Sequence, residues 1–454
     1  MWLSRFTSRV FGQYLPSPFA IAVILTGISL LLALLFGDFE EGSSALVQAL
    51  GLWETGLWNN GLLVFAYQMM LILVLGHVLV LSEPAEAFMN RLTRQVKDAN
   101  TAVLWVLLPT LLLSFFNWGL GLIFGALLAR KVGEYARRNR ISVNYPLLGA
   151  CGYAGMMIWH GGISGSAPIK VSEAGHLQDL MSNSGVQGVW PDSISTAATV
   201  FSWPNLVVTA VVIGVLVWVA GRLAKKAPAK SQAWPDSISE FNNDPPENGE
   251  QIDASVWGGR LLGGIMLIVV FVQYGSAMLH LQITPNLLNL FMLGLGLVLH
   301  GSFRRFLWAI GQAITGASGI LIQFPLYFGI MGLMVGSGLI AQLSSAVVQT
   351  ASAYSLPIWT FFSAGLVNIF VPSGGGQWAV QGPLVMQAAQ ELGVPYAKVI
   401  LALSYGDQLT NMLQPFWALP LLGITGLKGK DIIPYTLVFM FAGGAVYLLG
   451  LLLF

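Results

Sequence analysis

Residues 368–378 read Asn-Ile-Phe-Val-Pro-Ser-Gly-Gly-Gly-Gln-Trp, a polar, glycine-rich break between two apolar runs. Each of the three consecutive glycines weakens a helix by about 1 kcal/mol relative to alanine, and Pro372 removes a backbone donor. A helix is therefore predicted to end here. Backbone groups freed in this way cannot face lipid, so we expect the break to be buried in protein or to line a water-filled cavity. We interpret it as a candidate binding tip.

The composition of the whole chain indicates the class of protein to which this break belongs. Of the 454 residues, 55% are hydrophobic and only 9% are charged. These proportions indicate a polytopic helical membrane protein rather than two or three soluble domains. A formal net charge of +1 gives no attraction to nucleic acid, and a single cysteine, Cys151, excludes a disulfide framework and a multi-cysteine metal site.

Apolar segments of membrane-spanning length recur along the whole chain. About 20 apolar residues cross a hydrocarbon layer of about 30 Å. Seven unbroken segments meet this length, near 18–37, 60–81, 203–221, 258–280, 285–301, 318–340 and 433–454. The loops 82–101 and 130–145 are rich in Arg and Lys and are predicted to be cytoplasmic. This assignment places the N-terminus in the cytoplasm and the C-terminus outside.

Two further apolar segments are predicted to be re-entrant hairpins. The segment 103–129 lies between two cytoplasmic loops and is broken at Asn117–Gly121, so it enters and leaves from the cytoplasm. The segment 356–392 enters from outside, with Asn368–Trp378 at its tip. Two spans are predicted to be broken helices: 146–169, interrupted at 161–168, and 397–420, interrupted at 407–415.

The resulting fold class is an all-α polytopic membrane protein with two inverted-topology repeats. Residues 1–226 form the first repeat and 257–454 the second, each with a re-entrant helical hairpin and a broken transmembrane helix, and a polar cytoplasmic linker, 227–256, joins them. Inverted repeats whose discontinuous helices meet at the middle of the membrane are typical of secondary transporters. The hexapeptide Trp-Pro-Asp-Ser-Ile-Ser occurs at 190–195 and again at 234–239, and we have no physical account of this repetition.

Lys and Arg are absent from the middle of the predicted spans, so an anionic substrate is expected to bind backbone N–H groups at helix starts. Such a site favours a small carboxylate. The candidate substrate-binding residues are Asn117, Gly162, Ser164, Gly165, Ser166, Asn368, Ser373, Gly374, Gly375, Gly376, Gln377, Trp378 and Trp417. The aromatic residues Trp159, Trp378, Phe416 and Trp417 are candidates for the wall of an acyl pocket. The alternative is that the glycines only allow helices to pack closely.

Asp407 is the only acidic residue within a predicted span and away from its ends. A charge at mid-membrane costs several kcal/mol, so this carboxyl group must be paired, solvated or protonated. It is the candidate site for a coupling proton or sodium ion, with Gln408, Asn411 and Gln414 as neutral ligands. No other metal or cofactor is predicted. The alternative role for Asp407 is capping of the broken helix. His160, beside the first break, is a second candidate for moving protons.

Two other classes of function remain open. Gly162-Ile163-Ser164-Gly165 matches the Gly-x-Ser-Gly of an intramembrane serine hydrolase, in which Ser164 needs a histidine base on a nearby helix. The later histidines, His280 and His300, fall near span ends, which disfavours this alternative. A passive anion channel is disfavoured by the paired tips and by Asp407.

The chain resembles the bacterial short-chain fatty acid transporter family over essentially its whole length. The resemblance rests on Tyr145–Leu148, on Gly161-Gly162 with Ser164–Ser166, on Val371–Gly376 with Trp378, on Gln381–Pro383, on Tyr405-Gly406 and on Gln414–Pro420. It implies a secondary transporter of acetoacetate, butyrate or similar acids in the cytoplasmic membrane, with a small monocarboxylate and membrane lipid as partners and a homo-oligomer left open. It also implies Glu at the position of Asp407 and His at that of Gln377, so this chain departs from the pattern at both.

Overall fold

The computed structural model describes residues 17–183, 188–226, 249, 251–279 and 284–454. This part of the chain is almost entirely helical and contains no strand. Five helices are long and apolar enough to cross a membrane: Phe19–Phe36, Ala99–Phe116, Trp203–Lys226, Val256–Ser276 and Gly429–Leu453. The prediction of an all-α polytopic membrane protein is confirmed.

The predicted unbroken segments correspond to helices with closely matching ends. They are α1 (Pro18–Phe36), α3 (Asn60–Val80), α10 (Trp203–Lys226), α11 (Val256–Leu279), α12 (Pro285–His300), α14 (Ser318–Gly336) and α20 (Gly429–Leu453). Between α12 and α14 lies the shorter helix α13 (Phe303–Ala313). Arg304 and Arg305 occupy its first turn and large apolar residues follow, a composition that suits a helix at the membrane surface.

Five shorter helices have no counterpart among the predicted spans. The first four are α2 (Ala45–Leu57), α4 (Glu83–Thr93), α9 (His176–Asn183) and α15 (Leu339–Gln349), and the fifth is a single turn at Gln251–Ala254. Each has 13 residues or fewer, too short to register as a membrane span. Packing stabilises such short helices where propensity alone cannot, and α2 shows this, because Gly56 lies directly against Gly329 and Gly332 of α14.

Helix pairs occupy both predicted hairpins. In the first, α5 (Ala99–Phe116) and α6 (Trp118–Arg138) meet at Asn117, which caps α6. In the second, α16 (Leu356–Phe370) and α17 (Gly374–Leu392) meet at Val371–Ser373, and Ser373 caps α17. The side from which each pair enters the membrane stays a prediction, and of these four helices only α5 is both long and apolar enough to cross it.

Both predicted broken helices are broken. The first consists of α7 (Tyr145–Tyr153), a 3-10 turn (Ala154–Met157) and α8 (Ser166–Lys170). The second consists of α18 (Tyr396–Thr410), a 3-10 turn (Asn411–Leu413) and α19 (Pro415–Thr425). We call the residues between the helical halves break 1 (Ile158–Gly165) and break 2 (Asn411–Gln414), and the two hairpin junctions tip 1 (Asn117–Gly121) and tip 2 (Asn368–Trp378).

The order of elements repeats along the chain. A long helix, a short helix, a hairpin, a broken helix and a long helix occur in this order from α3 to α10 and again from α14 to α20, with α9 as an additional short helix in the first series. The opposite membrane orientation of the two series stays a prediction, as does the division of the chain at residues 227–256. Most of that linker, including the second Trp-Pro-Asp-Ser-Ile-Ser segment, lies outside the described residues, and so does His280.

Candidate functional site

The two broken helices meet at His160 and Asp407. The Nδ1 atom of His160 lies 3.1 Å from Oδ1 of Asp407, and both side chains are buried. The backbone N–H of Ala167 donates to Nε2 of His160 over 3.2 Å, which places the ring proton of the neutral imidazole on Nδ1, toward the carboxylate. This contact is close but poorly aligned, so Nδ1 and the second carboxylate oxygen, Oδ2, have no well-formed hydrogen bond within the described structure.

The side chain of Gln408 forms hydrogen bonds with the backbone of break 1 rather than with the groups around Asp407. Its Oε1 accepts the backbone N–H groups of His160, over 2.9 Å, and Gly161, over 3.1 Å. From the other side, Nδ2 of Asn205 on α10 donates to the carbonyl of Gly161, and Oδ1 of Asn205 accepts the hydroxyl of Tyr405. The predicted role of Gln408 as a neutral ligand beside Asp407 gains no support from this geometry.

Tip 2 is joined to break 2 through Asn368. Its Nδ2 donates to the Asp407 carbonyl over 2.8 Å, to Oδ1 of Asn411 over 2.9 Å and to Oγ1 of Thr410 over 3.0 Å. The side-chain amide of Gln414 donates to the carbonyl of Asn368. Three side-chain oxygens are buried without a hydrogen-bond partner in the described structure: Oδ1 of Asn368, Oδ2 of Asp407 and Oε1 of Gln414.

Such oxygens are expensive to leave unsatisfied, since an unpaired buried polar group costs about 1–3 kcal/mol. All three belong to residues linked by the Asn368 network, at the C-terminal end of α18. Broken helices in transporters use unwound carbonyls and helix C-termini of this kind to hold sodium ions or protons. The chemistry of this cluster therefore fits a hard cation, and it includes three of the four predicted coupling residues, Asp407, Asn411 and Gln414.

Tip 1 is joined to break 1 by backbone contacts. The N–H of Trp118 donates to Oγ of Ser164 over 2.9 Å, and the N–H of Ile163 donates to the carbonyl of Phe115 over 2.8 Å. A Cβ atom on Gly162 would lie 2.4 Å from that same carbonyl, so only glycine allows this approach. Oδ1 of Asn117 caps α6 by accepting the N–H of Leu120. Asn117, Gly162 and Ser164 thus hold tip 1 against break 1.

The glycines of tip 2 lie against break 1. A Cβ atom on Gly374 would come within 2.8 Å of the His160 ring, 2.9 Å of the Trp159 ring and 3.0 Å of Oγ of Ser166, whereas Gly375 faces open space. Ser373 Oγ accepts the N–H of Gly376. The N–H groups of Gly374 and Gly375 have no partner in the described part of the chain, and they form the positive end of a 19-residue helix. They can bind an anion.

Three tryptophans from different elements cluster beside this anion-binding end. Trp118 of tip 1 lies 6.0 Å from Trp159 of break 1 and 5.0 Å from Trp417 of α19, measured between ring centroids. Trp159 also stacks on His160 at 4.5 Å. Phe416 packs edge-on against Trp417 at 5.1 Å and stacks on Phe324, away from the break. The sequence identified Trp159 and Trp417 but missed Trp118, although its place directly after Asn117 in tip 1 is a usable signal.

Gln377 and Trp378 point away from this cluster. Nε2 of Gln377 donates to the Ala364 carbonyl and to Oε1 of Gln381, inside the second hairpin. Nε1 of Trp378 donates to Nε2 of His176, the first residue of α9, over 3.0 Å. Both residues are buried. The side chains of these two predicted substrate-binding residues therefore face away from the tryptophan cluster, although both residues belong to tip 2.

Two residues that the sequence did not single out also contribute. Asn205 and Tyr405 connect α10 to break 1 and to α18, as described above. A usable signal for Asn205 was its amide near the start of an apolar span, where an unpaired amide is costly. Tyr405 stands within the Tyr405-Gly406 pair that contributed to the resemblance.

The geometry gives the serine hydrolase alternative no support. Ser164 Oγ accepts a backbone N–H, and the two ring nitrogens of the nearby His160 face Asp407 and the backbone N–H of Ala167. The Nε2 atom of His300 lies 2.8 Å from the carbonyl of Val78. In the residues that the structure describes, no histidine forms a hydrogen bond with Ser164.

Comparisons with known proteins agree with the resemblance. The sequence model of the family described as short chain fatty acid transporter matches residues 1–454. The "Putative short-chain fatty acid transporter" of Escherichia coli (strain K12) is 34% identical over 461 residues, covering 100% of this chain and 99% of the relative. The protein of the same description from Haemophilus influenzae (strain ATCC 51907 / DSM 11121 / KW20 / Rd) is 34% identical over 462 residues, covering 99% and 98%.

Two solved structures of transporters share weaker similarity. The Alcanivorax borkumensis YdaH transporter is 13% identical with a TM-score of 0.39, over 96% of this chain and 98% of that one. Neisseria gonorrhoeae MtrF, described as one of a class of antimetabolite efflux pumps, is 13% identical with a TM-score of 0.40, over 98% and 97%. These values are too low to support an argument. On the strength of the match over its whole length and of both relatives, the chain belongs to the short-chain fatty acid transporter family.

Proposed function

We propose that this protein is a secondary active transporter that moves butyrate, acetoacetate or similar small monocarboxylates across the cytoplasmic membrane, driven by a proton or sodium gradient. The observation that carries the proposal is the meeting of break 1 and α18 at His160 and Asp407, beside the glycines of tip 2. A substrate site and a cation site thereby share one small, mostly buried region.

The carboxylate of the substrate binds the N–H groups of Gly374 and Gly375 at the start of α17. No Lys or Arg occurs in 145–168, 368–381 or 404–420, so the helix dipole and the N–H groups supply the positive potential. The short acyl chain lies against Trp118, Trp159 and Trp417. Burial of each methylene contributes about 0.8 kcal/mol, which is sufficient to favour a short acid over formate.

The coupling cation binds the unpartnered oxygens of Asp407, Asn368 and Gln414, with Asn411 close by. An ionised Asp407 repels an arriving carboxylate, and this repulsion is strong in a region of low dielectric constant. A proton or sodium ion on Asp407 removes the repulsion. Substrate and cation therefore bind together, which is the requirement for coupled transport, and alternating access releases both on the other side.

Counterflow in proteoliposomes tests the substrate class without any imposed gradient. Vesicles loaded with unlabelled butyrate should transiently accumulate labelled butyrate, and this uptake should be saturable. Added acetoacetate should compete with the labelled butyrate. Protein-free vesicles and vesicles loaded with a dicarboxylate such as succinate are the controls. The absence of saturable counterflow with every short monocarboxylate would overturn the proposal.

A further inference from the structure

An apolar crevice lies between α10, α18 and α20, away from the tips and breaks. Its volume is about 180 Å³, and its apolar lining includes Val208, Leu401 and Leu451, with Lys398 at the first turn of α18. The floor is formed where α10 and α20 approach most closely, because a Cβ atom on Gly450 would lie 2.5 Å from Val208. The crevice takes no part in the transport site proposed above.

Exposed aromatic rings show that the mouth of this crevice faces a membrane surface. Trp203, at the start of α10, is 64% exposed and packs edge-on against Phe454, at the end of α20, with ring centroids 4.6 Å apart. Tryptophans concentrate at the boundary between hydrocarbon and lipid headgroups. The start of α18 lies at the same depth as the end of α20, because Lys398 of α18 and Phe454 at the end of α20 line the same crevice. The apolar walls therefore lie on the hydrocarbon side and the lysine on the headgroup side.

Lys398 supplies an uncompensated positive charge at this boundary. It is partly buried and forms no ion pair in the part of the chain that the structure describes. The positive end of the α18 dipole adds to its potential. A cationic side chain beside an apolar slot matches a molecule with an anionic headgroup and a long hydrocarbon chain.

We propose that this crevice binds an anionic phospholipid, whose phosphate pairs with Lys398 and whose acyl chain lies along Val208, Leu401 and Leu451. A short-chain acid is a poor occupant, because its few methylenes contribute only about 0.8 kcal/mol each, whereas a phospholipid already resident in the membrane offers a full acyl chain.

The bound lipid contacts a side chain that holds the transport site. Tyr405 lines the crevice, and its hydroxyl donates to Asn205 over 2.7 Å. Asn205 in turn donates to the carbonyl of Gly161 in break 1 over 2.9 Å. Occupancy of the crevice thus stabilises the packing of α10 and α18 around break 1.

Photocrosslinking in vesicles tests the assignment without measuring transport. The probe is phosphatidylglycerol with a diazirine in one acyl chain, and the readout is mass-spectrometric mapping of labelled peptides. We expect labelling concentrated in 198–208, 395–405 and 450–454, reduced at least fivefold by Lys398→Ala and retained by Lys398→Arg. Lys226→Ala, at the exposed far end of α10, is the matched control and should label as the wild type does. Leu401→Phe, which fills the slot, should also reduce labelling while the protein elutes as a single species.

Three outcomes would overturn the proposal. They are labelling spread evenly over the lipid-facing helices, labelling unchanged in Lys398→Ala, and equal labelling by a phosphatidylcholine or fatty acid probe carrying the same diazirine. The last outcome would show that the crevice selects hydrocarbon, or a carboxylate, rather than an anionic phospholipid.

Discussion

His160 and Asp407 form a buried pair, 3.1 Å apart, at the point where the two broken helices meet. They come from opposite halves of the chain, 247 positions apart in sequence, yet each is held by its own local contacts, His160 by Ala167 and Asp407 by its place in α18. A carboxylate in this position is stabilised by its partner. Under the proposed function, the pair connects the cation site to break 1 and to α18.

The pair predicts a specific pattern of stabilities. His160→Ala leaves the buried carboxylate of Asp407 without its neighbour, which costs about 1–3 kcal/mol or more when the charge is retained. Asp407→Asn removes that charge, so His160→Ala combined with Asp407→Asn should melt at a higher temperature than His160→Ala alone. Thermal unfolding of the three purified variants in one detergent measures this. If the double variant is less stable than the wild type, measured in the same detergent, by the sum of the two single effects, the two side chains are independent.

Neighbouring glycines of tip 2 should respond differently to the same substitution. A Cβ atom on Gly374 would press on His160, Trp159 and Ser166, so Gly374→Ala should cost about 1–3 kcal/mol through overpacking and should lower transport. Gly375 faces open space, so Gly375→Ala should preserve or raise stability, with a gain of up to about 1 kcal/mol from helix propensity.

Gly375→Ala also reports on the substrate, because its methyl group enters the space beside the anion-binding N–H groups. We expect a higher KM for butyrate with a melting temperature that is unchanged or higher. A variant Gly375→Ala with the KM of the wild type would mean that the carboxylate binds elsewhere.

Acidification should loosen the contact between the start of α9 and the second hairpin. His176 accepts the Nε1–H of Trp378, and partial burial, reinforced by the charge of Lys170, lowers the pKa of His176 from its ordinary value of 6.5. The neutral imidazole is favoured in the folded protein, so the stabilisation is present above pH 6.5 and is lost as the pH falls through the depressed pKa.

Hydrogen exchange of peptides covering 176–183 and 374–392 measures this effect. Exchange should increase as the pH falls from 7 to 5, after correction for the intrinsic rate. In His176→Gln, which keeps an acceptor that does not titrate, it should stay constant. An equal increase in both proteins would exclude His176 as its cause.

The tryptophan cluster should set the preferred chain length. Trp417→Ala opens space beside Trp118 and Trp159, so the ratio of kcat/KM for hexanoate to that for butyrate should rise about tenfold, within the range that one or two methylenes in an apolar pocket allow. The matched control is Trp218→Ala, an exposed tryptophan on α10. If both variants leave the ratio unchanged, the acyl chain does not contact the cluster.

Much of the fold could be predicted because its signals are local. A run of about 20 apolar residues predicts a membrane span from its length alone. Asn117 and the segment Pro372–Gly376 end helices because of their own local chemistry. The ends of α16 and α17 therefore agree with the predicted hairpin at 356–392. The short helices α2, α4 and α15 were missed because they are stabilised mainly by packing against other helices rather than by a pattern of their own.

The site could be predicted only in part, because helix rotation and contacts between the two halves of the chain are not local. Gln377 stands in the middle of the glycine-rich tip in sequence, but its side chain turns inward to Ala364. Gln408 follows Asp407 directly, but it caps the N–H groups of His160 and Gly161 instead of joining its neighbour. A helix turns about 100° per residue, so adjacent residues face different neighbours.

The most direct test of the account compares wild type and Asp407→Asn in two assays on the same proteoliposomes: counterflow of labelled butyrate, and its accumulation driven by an imposed proton or sodium gradient. The account predicts that the wild type shows both, with one of the two gradients effective. Asp407→Asn, whose side chain is permanently neutral, should retain counterflow and lose gradient-driven accumulation. Accumulation by Asp407→Asn at the wild-type rate, with the same dependence on the gradient, would contradict the central claim that Asp407 binds the coupling cation.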